Sequence, residues 1–125
     1  MHLIICDDES EAAEELSEFL CDFGITAILA PDMTTAQQKI LAVPMPFCLL
    51  TDMRMPGGSG TDLVQWLRSE APPEKRLTPA LLVSGDAADP SPEEGRRQDL
   101  FDLRLRKPLA LQELLSALQD LGVIR

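Results

Sequence analysis

The chain is short of cysteine, of positive charge and of long apolar runs, and each shortage excludes a class of protein. Cys6, Cys21 and Cys48 are odd in number and widely spaced in apolar segments. They exclude a disulfide framework and predict small core residues in a reducing compartment. No apolar run has the length of a membrane span, and the N-terminus lacks a signal pattern. We therefore expect a cytoplasmic protein without membrane contact.

Basic residues are outnumbered almost two to one by acidic residues. The sequence has 11 Lys and Arg against 21 Asp and Glu, which gives a net charge of −10. An acidic surface repels a phosphate backbone and an anionic membrane, so nucleic acid is not expected as a direct partner. The run of glutamates between residues 11 and 18 is expected to form a solvated helix face.

The length of the chain leaves room for one domain. Its 125 residues can bury a core without metal or disulfide support, and they contain no internal repeat or low-complexity tract. We expect a single domain over residues 1–125 with no output domain. Met1 lies directly before the first predicted strand, which favours a stand-alone protein.

Short apolar runs alternate with amphipathic stretches along the chain, which predicts an α/β fold. The predicted strands are residues 2–6, 25–30, 47–51, 80–83 and 101–105. The predicted helices are residues 9–23, 34–42, 61–69 and 109–121. With one further helix before the last strand, this order predicts a (βα)5 fold, a doubly wound sheet of five parallel strands.

Three of these helices carry apolar stripes that are predicted to pack on the sheet. The stripes consist of Ala12, Leu16, Phe19, Leu20 and Phe23, then Leu63, Val64 and Leu67, then Leu111, Leu114, Leu115, Leu118 and Leu121. The fourth helix differs, because residues 89–99 contain no large apolar side chain and Gly95 within a helix costs roughly 1 kcal/mol relative to alanine. We predict that this helix is short, displaced or mobile.

Polar side chains follow four of the predicted strands at the point where each strand ends. They are Asp7, Asp8, Asp52, Ser84 and Lys107. The carboxyl ends of parallel strands meet at one edge of an open sheet, and ligands bind there. Each side chain alone has an ordinary role at a helix start, in a turn or on the surface, but their joint placement predicts one site.

The residue types at this edge suit phosphoryl transfer. Asp52 can act as a nucleophile toward a phosphoryl group and form an aspartyl phosphate. Asp7 and Asp8 would repel Asp52 unless a cation were present, and three carboxylates with room for water suit Mg²⁺. Lys107 can neutralise one phosphoryl oxygen, and the Ser84 hydroxyl can donate a hydrogen bond to another.

Four sequence blocks carry a resemblance to a known family. They are Asp7-Asp8, Asp52-Met53-Arg54-Met55-Pro56 with Gly60 four residues later, Ser84-Gly85, and Lys107-Pro108. In this order they resemble the signature of receiver domains of two-component response regulators, and the resemblance covers essentially the whole chain. It implies the flavodoxin-like receiver architecture with strand order 2-1-3-4-5.

The resemblance also implies a phosphoacceptor and a metal site. Asp52 would accept the phosphoryl group. Asp7, Asp8, Asp52 and the backbone carbonyl of Arg54 would hold Mg²⁺ through direct or water-bridged contacts. The phosphoryl donor in the family is a histidine on a sensor histidine kinase or a histidine phosphotransfer protein.

The remaining family roles concern switching. Ser84 would be the hydroxyl that moves toward the phosphoryl group, Lys107 would pair with that group, and the Lys107–Pro108 bond would be cis. Phosphorylation would change protein contacts with a downstream partner that the sequence does not specify. The chain would then be no enzyme toward external substrates, since its only chemistry would be self-phosphorylation and autodephosphorylation.

The chain departs from the family pattern at two places. Most receivers have an aromatic residue three positions before the lysine, and here that position is Arg104. We expect Arg104 to take part in switching through a charge contact or through order in residues 86–99. The polar fourth helix changes the surface at which receivers usually dimerise, so the sequence does not decide whether the chain forms a homodimer.

Three other functions fit parts of the pattern. A magnesium-dependent phosphatase with an aspartyl nucleophile would need a second aspartate where this chain has Arg54. A flavodoxin-like carrier would need a hydroxyl-rich phosphate loop after the first strand, where acids stand instead. An unphosphorylated adaptor of receiver fold would have no need of the intact acids, Ser84 and Lys107.

Overall fold

The computed structural model describes residues 1–84, 100–107 and 109–122. The elements in chain order are β1 (His2–Cys6), α1 (Ser10–Cys21), β2 (Thr26–Ala30), α2 (Met33–Ala42), β3 (Phe47–Asp52), β4 (Arg54–Met55), β5 (Gly58–Ser59), α3 (Gly60–Ser69), a 3-10 helix (Pro73–Lys75), β6 (Ala80–Ser84), β7 (Leu103–Arg106) and α4 (Leu111–Asp120). Residues 89–99, which were predicted to form the fourth helix, and the predicted cis bond to Pro108 lie outside the described residues. The helix labelled α4 here is the one predicted over residues 109–121.

Five of the strands form one sheet in the order β2-β1-β3-β6-β7. Every pairing within it is parallel. The short strands β4 and β5 form a separate antiparallel pair. Numbered among the five sheet strands alone, the order is 2-1-3-4-5, so the predicted doubly wound parallel sheet is confirmed. All five carboxyl ends therefore lie at one edge of the sheet.

The core consists of two apolar clusters, one on each face of the sheet. Successive side chains of a strand point to opposite faces, and β1 shows this clearly. Ile4 and Cys6 pack in the cluster that α2 and α3 cover, while Leu3 and Ile5 pack in the cluster that α1 and α4 cover. Because both faces are covered, the central strands carry mostly apolar side chains on both faces.

The helix stripes are only partly as predicted. The stripe of α3 is confirmed, with all three of its predicted residues buried. In α1, Leu20 is buried, but Ala13 is buried in place of Ala12, and Phe23 is 49% exposed. The residues that face the sheet follow the spacing of Ala13, Leu16 and Leu20, which lie on one side of a helix. Ala12 lies beside this stripe and Phe23 lies beyond the end of the helix.

The cysteines also correct one prediction. Cys6 and Cys48 are buried as expected, whereas Cys21, at the last position of α1, is exposed. Burial raises the pKa of both the Cys6 and the Cys48 thiol to about 12. These two thiols therefore stay protonated near neutral pH and are not nucleophiles. Among the described residues, no helix is long and apolar enough to cross a membrane.

Candidate functional site

Three carboxylates from two strands meet at the carboxyl edge of the sheet. Asp7 and Asp8 directly follow β1, and Asp52 is the last residue of β3. One oxygen atom from each carboxylate lies within 4.8 Å of the other two. Asp7 and Asp52 are half-buried, and Asp8 is exposed. The structure thus brings together the three acids that the sequence placed at one edge.

Backbone hydrogen bonds hold Asp7 at the turn between β1 and α1. Its amide donates to the carbonyl of Ala30 over 3.1 Å, which extends the pairing of β1 with β2 by one residue. Its carboxylate accepts the Glu9 amide over 2.9 Å. Burial raises the pKa of Asp7, and nearby Asp52 adds to the rise, although the Glu9 amide and Lys107 oppose it. A carboxylate in these surroundings favours an added positive charge.

In the described part of the site, the positive charge comes from Lys107. Its Nζ donates to Oδ2 of Asp52 over 2.8 Å, and the two side chains are 33% and 15% exposed. Burial alone would lower the pKa of Lys107, but the hydrogen bond to Asp52 and the negative charges of Asp52, Asp7 and Glu9 outweigh burial and raise that pKa. Lys107 is therefore protonated at neutral pH and is held against Asp52.

Ser84 lies between these two strand ends in the order of the sheet. It is the last residue of β6 and is half-buried. Its carbonyl accepts the Lys107 amide over 2.9 Å, so the pairing of β6 with β7 continues to the lysine. The sequence predicted that Ser84, Lys107 and the acids would share one edge of the sheet, and the backbone places all of them there.

The segment that follows Asp52 explains why a glycine stands at position 60. The amide of Gly60 donates to the carbonyl of Met53 over 2.8 Å, and a Cβ atom at position 60 would collide with the Asp52 carbonyl oxygen. Thr51 donates its hydroxyl to the same carbonyl over 3.0 Å. Only glycine allows α3 to begin this close to the end of β3.

The hairpin of β4 and β5 connects Asp52 to α3. Arg54 pairs with Ser59 in this hairpin, and Gly57 at its turn has a φ of +91°. The amide of Met33, the first residue of α2, donates to the Pro56 carbonyl over 3.0 Å. At the far end of the hairpin, the Ser59 hydroxyl accepts the Asp62 amide over 3.0 Å and caps α3. The turn of the hairpin and its exit into α3 are therefore both held by hydrogen bonds.

Arg104 lies in the middle of β7, opposite Leu82. Its neighbours Leu103 and Leu105 pack against the cluster that α1 and α4 cover. Because side chains alternate along a strand, Arg104 and Arg106 point to the opposite face of the sheet. Arg104 is half-buried and Arg106 is exposed. The predicted link between Arg104 and order in residues 86–99 lies outside the described residues.

A groove that the sequence did not reveal opens from the acidic site. Its volume is about 710 Å³, and Asp7, Asp52 and Lys107 are among the residues that line it. Most of its other wall residues are apolar and come from α1, from the sheet and from the start of α4; they include Ala12, Leu16, Leu109 and Leu111. Residues 12 and 111 were both predicted to face the sheet, but both are exposed. Only the structure shows that these apolar side chains are exposed, so the sequence pattern contained no signal for the groove.

Comparisons with known proteins agree with this geometry. The family model for the response regulator receiver domain matches residues 3–119. A response regulator receiver protein of Anaeromyxobacter sp. (strain Fw109-5) is 32% identical over 116 residues, which are 92% of this chain and 43% of that protein. The response regulator protein PilR of Pseudomonas aeruginosa is 31% identical over 111 residues, which are 89% of this chain and 24% of PilR. The chain thus spans less than half the length of these two curated relatives.

Solved structures give the same result. A CheY-like response regulator receiver domain from Methylobacillus flagellatus has a TM-score of 0.82 and 30% identity, covering 96% of this chain and 97% of that one. A receiver domain protein from Clostridium thermocellum has a TM-score of 0.81 at 20% identity, covering 95% of this chain and 91% of that one, and shares the fold. With the match over residues 3–119, these findings show that the chain belongs to the response regulator receiver domain family.

Proposed function

We propose that this domain accepts a phosphoryl group on Asp52 from a phosphohistidine and that phosphorylation switches its protein contacts. The observation that supports this most directly is the 2.8 Å contact between Lys107 Nζ and Asp52 Oδ2 beside two further carboxylates. A nucleophilic carboxylate with a fixed ammonium group beside it suits phosphoryl transfer, because that reaction depends on positioning and on charge neutralisation.

The transfer forms one bond and breaks one bond. A carboxylate oxygen of Asp52 bonds to phosphorus while the bond from phosphorus to the donor imidazole nitrogen breaks, and that nitrogen keeps the electron pair. Lys107 shifts from the carboxylate to a phosphoryl oxygen, whose negative charge it neutralises. Ser84 donates a hydrogen bond to a second phosphoryl oxygen, so phosphorylation of Asp52 changes the contacts at the end of β6. Water later attacks the phosphorus atom, the bond from phosphorus to the Asp52 oxygen breaks, and inorganic phosphate leaves while Asp52 returns to a free carboxylate.

The acids would hold Mg²⁺ during this reaction. The donor atoms fit a hard divalent cation, since one carboxylate oxygen from each of Asp7, Asp8 and Asp52 lies within 4.8 Å of the others and the exposed Asp8 leaves room for water. The backbone carbonyl of Arg54 would complete the set. The ion supplies positive charge where negative charge develops on the phosphoryl group.

The groove beside Asp52 would receive the donor protein. A phosphohistidine must approach Asp52 from solvent, and the groove of about 710 Å³ provides an apolar surface that leads to it. A sensor histidine kinase or a histidine phosphotransfer protein that presents its histidine on an apolar surface fits this shape. Glu9 and Glu15 also line the groove, so basic residues around the donor histidine would assist the encounter.

We also propose that the chain forms one cytoplasmic domain over residues 1–125 and acts on no external substrate. The fold supports the single domain, because five of the described strands form one sheet with helices on both faces. The Asp52 nucleophile would react once per signal, and its turnover would consist of self-phosphorylation and autodephosphorylation.

The direct test is incubation with Mg²⁺ and a small acyl phosphate, followed by intact-mass measurement. Wild-type protein is expected to gain the mass of one phosphoryl group, and Asp52→Asn is expected to gain none. Addition of EDTA is expected to prevent the gain. The proposal is overturned if the wild type shows no adduct or if the adduct persists in Asp52→Asn.

A further inference from the structure

The position of Lys107 depends on the register of an edge strand that is only four residues long. Among the described strands, β7 pairs with β6 alone. Its sequence alternates strictly as Leu-Arg-Leu-Arg over Leu103–Arg106. A shift of one residue along β6 would turn the leucines away from the core. A shift of two residues would restore the same pattern, so the alternation alone does not determine the register.

A shift of two residues would remove Lys107 from the site. Two residues of parallel strand span about 6.6 Å, whereas the contact between Lys107 Nζ and Asp52 Oδ2 is 2.8 Å long. Phe101 is buried just before β7, but an apolar contact is not directional and tolerates small displacements. A directional contact is needed at the start of the strand.

Asp102 provides a directional contact with the first residue of β6. Its amide donates to the Ala80 carbonyl over 2.9 Å, and its Oδ2 accepts the Ala80 amide over 2.8 Å. These two bonds join the same pair of residues in both directions. After a shift of two residues the Asp102 amide could donate to another carbonyl of β6, but the Asp102 carboxylate would lie about 6.6 Å farther from the Ala80 amide. The side-chain bond therefore selects one register.

Arg68 connects this pair to α3. Its guanidinium donates from Nη2 to Oδ2 of Asp102 over 3.3 Å and to the Leu100 carbonyl over 3.0 Å, while Nε donates to the same carbonyl over 3.3 Å. Nη1 donates to the carbonyls of Arg76 over 2.8 Å and Thr78 over 2.6 Å. Arg68 lies in the last turn of α3. The first residue of that helix contacts the backbone of the phosphoacceptor strand.

We propose that Arg68 and Asp102 are positioning residues for phosphoryl transfer, because their hydrogen bonds hold β7 in the register that places Lys107 against Asp52. This inference rests on the proposed function. We call the two residues the clamp. Its side chains are 19% and 42% exposed, and an ion pair at such exposure contributes little to stability by itself. The effect of the clamp is therefore geometric, and it is transmitted along β7.

The first test is a double-mutant cycle on the rate of phosphorylation by a small acyl phosphate with Mg²⁺. Loss of one charge-stabilising donor lowers such rates about a hundredfold or more, which is the effect expected for Lys107→Ala. Asp102→Ala is expected to lower the rate about tenfold, since a misplaced lysine is only partly effective. If the clamp acts through Lys107, the double variant is no slower than Lys107→Ala alone. If the rate of the double variant is lowered by the product of the two single reductions, the proposal is overturned.

Two further variants separate positioning from general damage to the fold. Asp102→Asn keeps an oxygen that can accept the Ala80 amide, so it is expected to recover most of the rate that Asp102→Ala loses. Arg76→Gln is a matched control, because Arg76 donates to the Ala71 carbonyl over 2.8 Å in the same corner of the molecule without a side-chain bond to β7. A control that slows phosphorylation as much as Asp102→Ala would contradict the clamp.

The second test needs no phosphorylation. Hydrogen exchange of the amides of residues 103–107 is measured in unphosphorylated protein, where the Lys107 amide donates to Ser84. Asp102→Ala is expected to accelerate this exchange, while Arg76→Gln leaves it at the wild-type rate. Unchanged exchange in Asp102→Ala would overturn the proposal even if the wild type accepts a phosphoryl group. If the wild type accepts no phosphoryl group, the proposed function is overturned. The hydrogen-exchange rates of residues 103–107 then still decide whether the clamp holds β7.

Discussion

Replacement of Gly60 by alanine tests the close approach of α3 to the end of β3. The added Cβ would collide with the Asp52 carbonyl oxygen and would lie 3.1 Å from Cγ2 of Thr51 and 3.2 Å from Cδ1 of Leu82. The backbone oxygen cannot rotate away as a side chain can. Either α3 or the end of β3 must therefore move.

The cost of this movement can be estimated. Overpacking of a well-packed site costs about 1–3 kcal/mol, and the better helix propensity of alanine offsets less than about 1 kcal/mol at the first helical position. We expect a net loss of about 2 kcal/mol in the free energy of unfolding, which corresponds to a fall in Tm of about 6–10 °C for a domain of this size. A displacement of Asp52 by about 1 Å can also lower the phosphorylation rate about a hundredfold.

Urea unfolding, thermal unfolding and acyl phosphate labelling measure these effects. Gly58→Ala is the matched control, because its added Cβ would meet the flexible end of the Met33 side chain, which can move aside. We expect the control to remain close to the wild type in stability and rate. If Gly60→Ala matches the control in both, the contact between α3 and Asp52 is not as close as described.

Four further predictions follow from the site and the core. Lys107→Ala should lower the phosphorylation rate about a hundredfold while urea unfolding of the free protein changes by less than about 1 kcal/mol, since the ion pair is partly exposed; a wild-type rate would contradict the assigned role. Saturating Mg²⁺ should stabilise the wild type by about 2.7 kcal/mol at a hundred times its Kd, and Asp8→Ala, at an exposed position, should remove most of that gain without unfolding the protein. In EDTA, Asp7→Asn should stabilise the protein at neutral pH, because a carboxyl whose pKa is raised in the folded state destabilises that state when it is ionised. This gain in stability should shrink as the pH falls through the raised pKa, because the folded wild type takes up a proton there before the unfolded chain does. A gain that grows in acid would contradict the raised pKa. Maleimide at neutral pH should label one thiol per folded molecule, at exposed Cys21, and three after denaturation, and intact mass would reveal any faster labelling of the buried pair.

The helix patterns show where prediction from sequence succeeded and where it stopped. The stripe of α3 was predicted correctly, since Leu63, Val64 and Leu67 all face the core. Cys21 and Ala12 were predicted to be inside but are exposed. Both lie next to buried positions of α1, where a rotation of one residue changes a side chain from the inner to the outer face. The sequence period gives the existence of a stripe but only its approximate direction.

Lys75 shows a second limit of the sequence. A lysine after two prolines reads as a surface residue, yet this one is 7% exposed. Its Nζ donates to the carbonyls of Ile40, Leu41 and Val43 over 2.8, 3.0 and 2.9 Å. The end of α2 leaves these carbonyls without partners within the helix, and they lie more than thirty residues away along the chain. Only packing of distant segments reveals such a partner.

The sequence by itself determined the order of the five sheet strands and of the four described α-helices, and the residues available at the carboxyl edge of the sheet, because apolar periodicity and strand ends are local properties. The β4–β5 hairpin and the 3-10 helix were not predicted. Asp7, Asp8, Asp52, Ser84 and Lys107 could therefore be named before the structure was known. The tertiary structure alone decided the 2.8 Å contact of Lys107 with Asp52, the groove beside it and the clamp on β7. These depend on the register and packing of segments far apart in the chain, and the alternating pattern of β7 is compatible with more than one register.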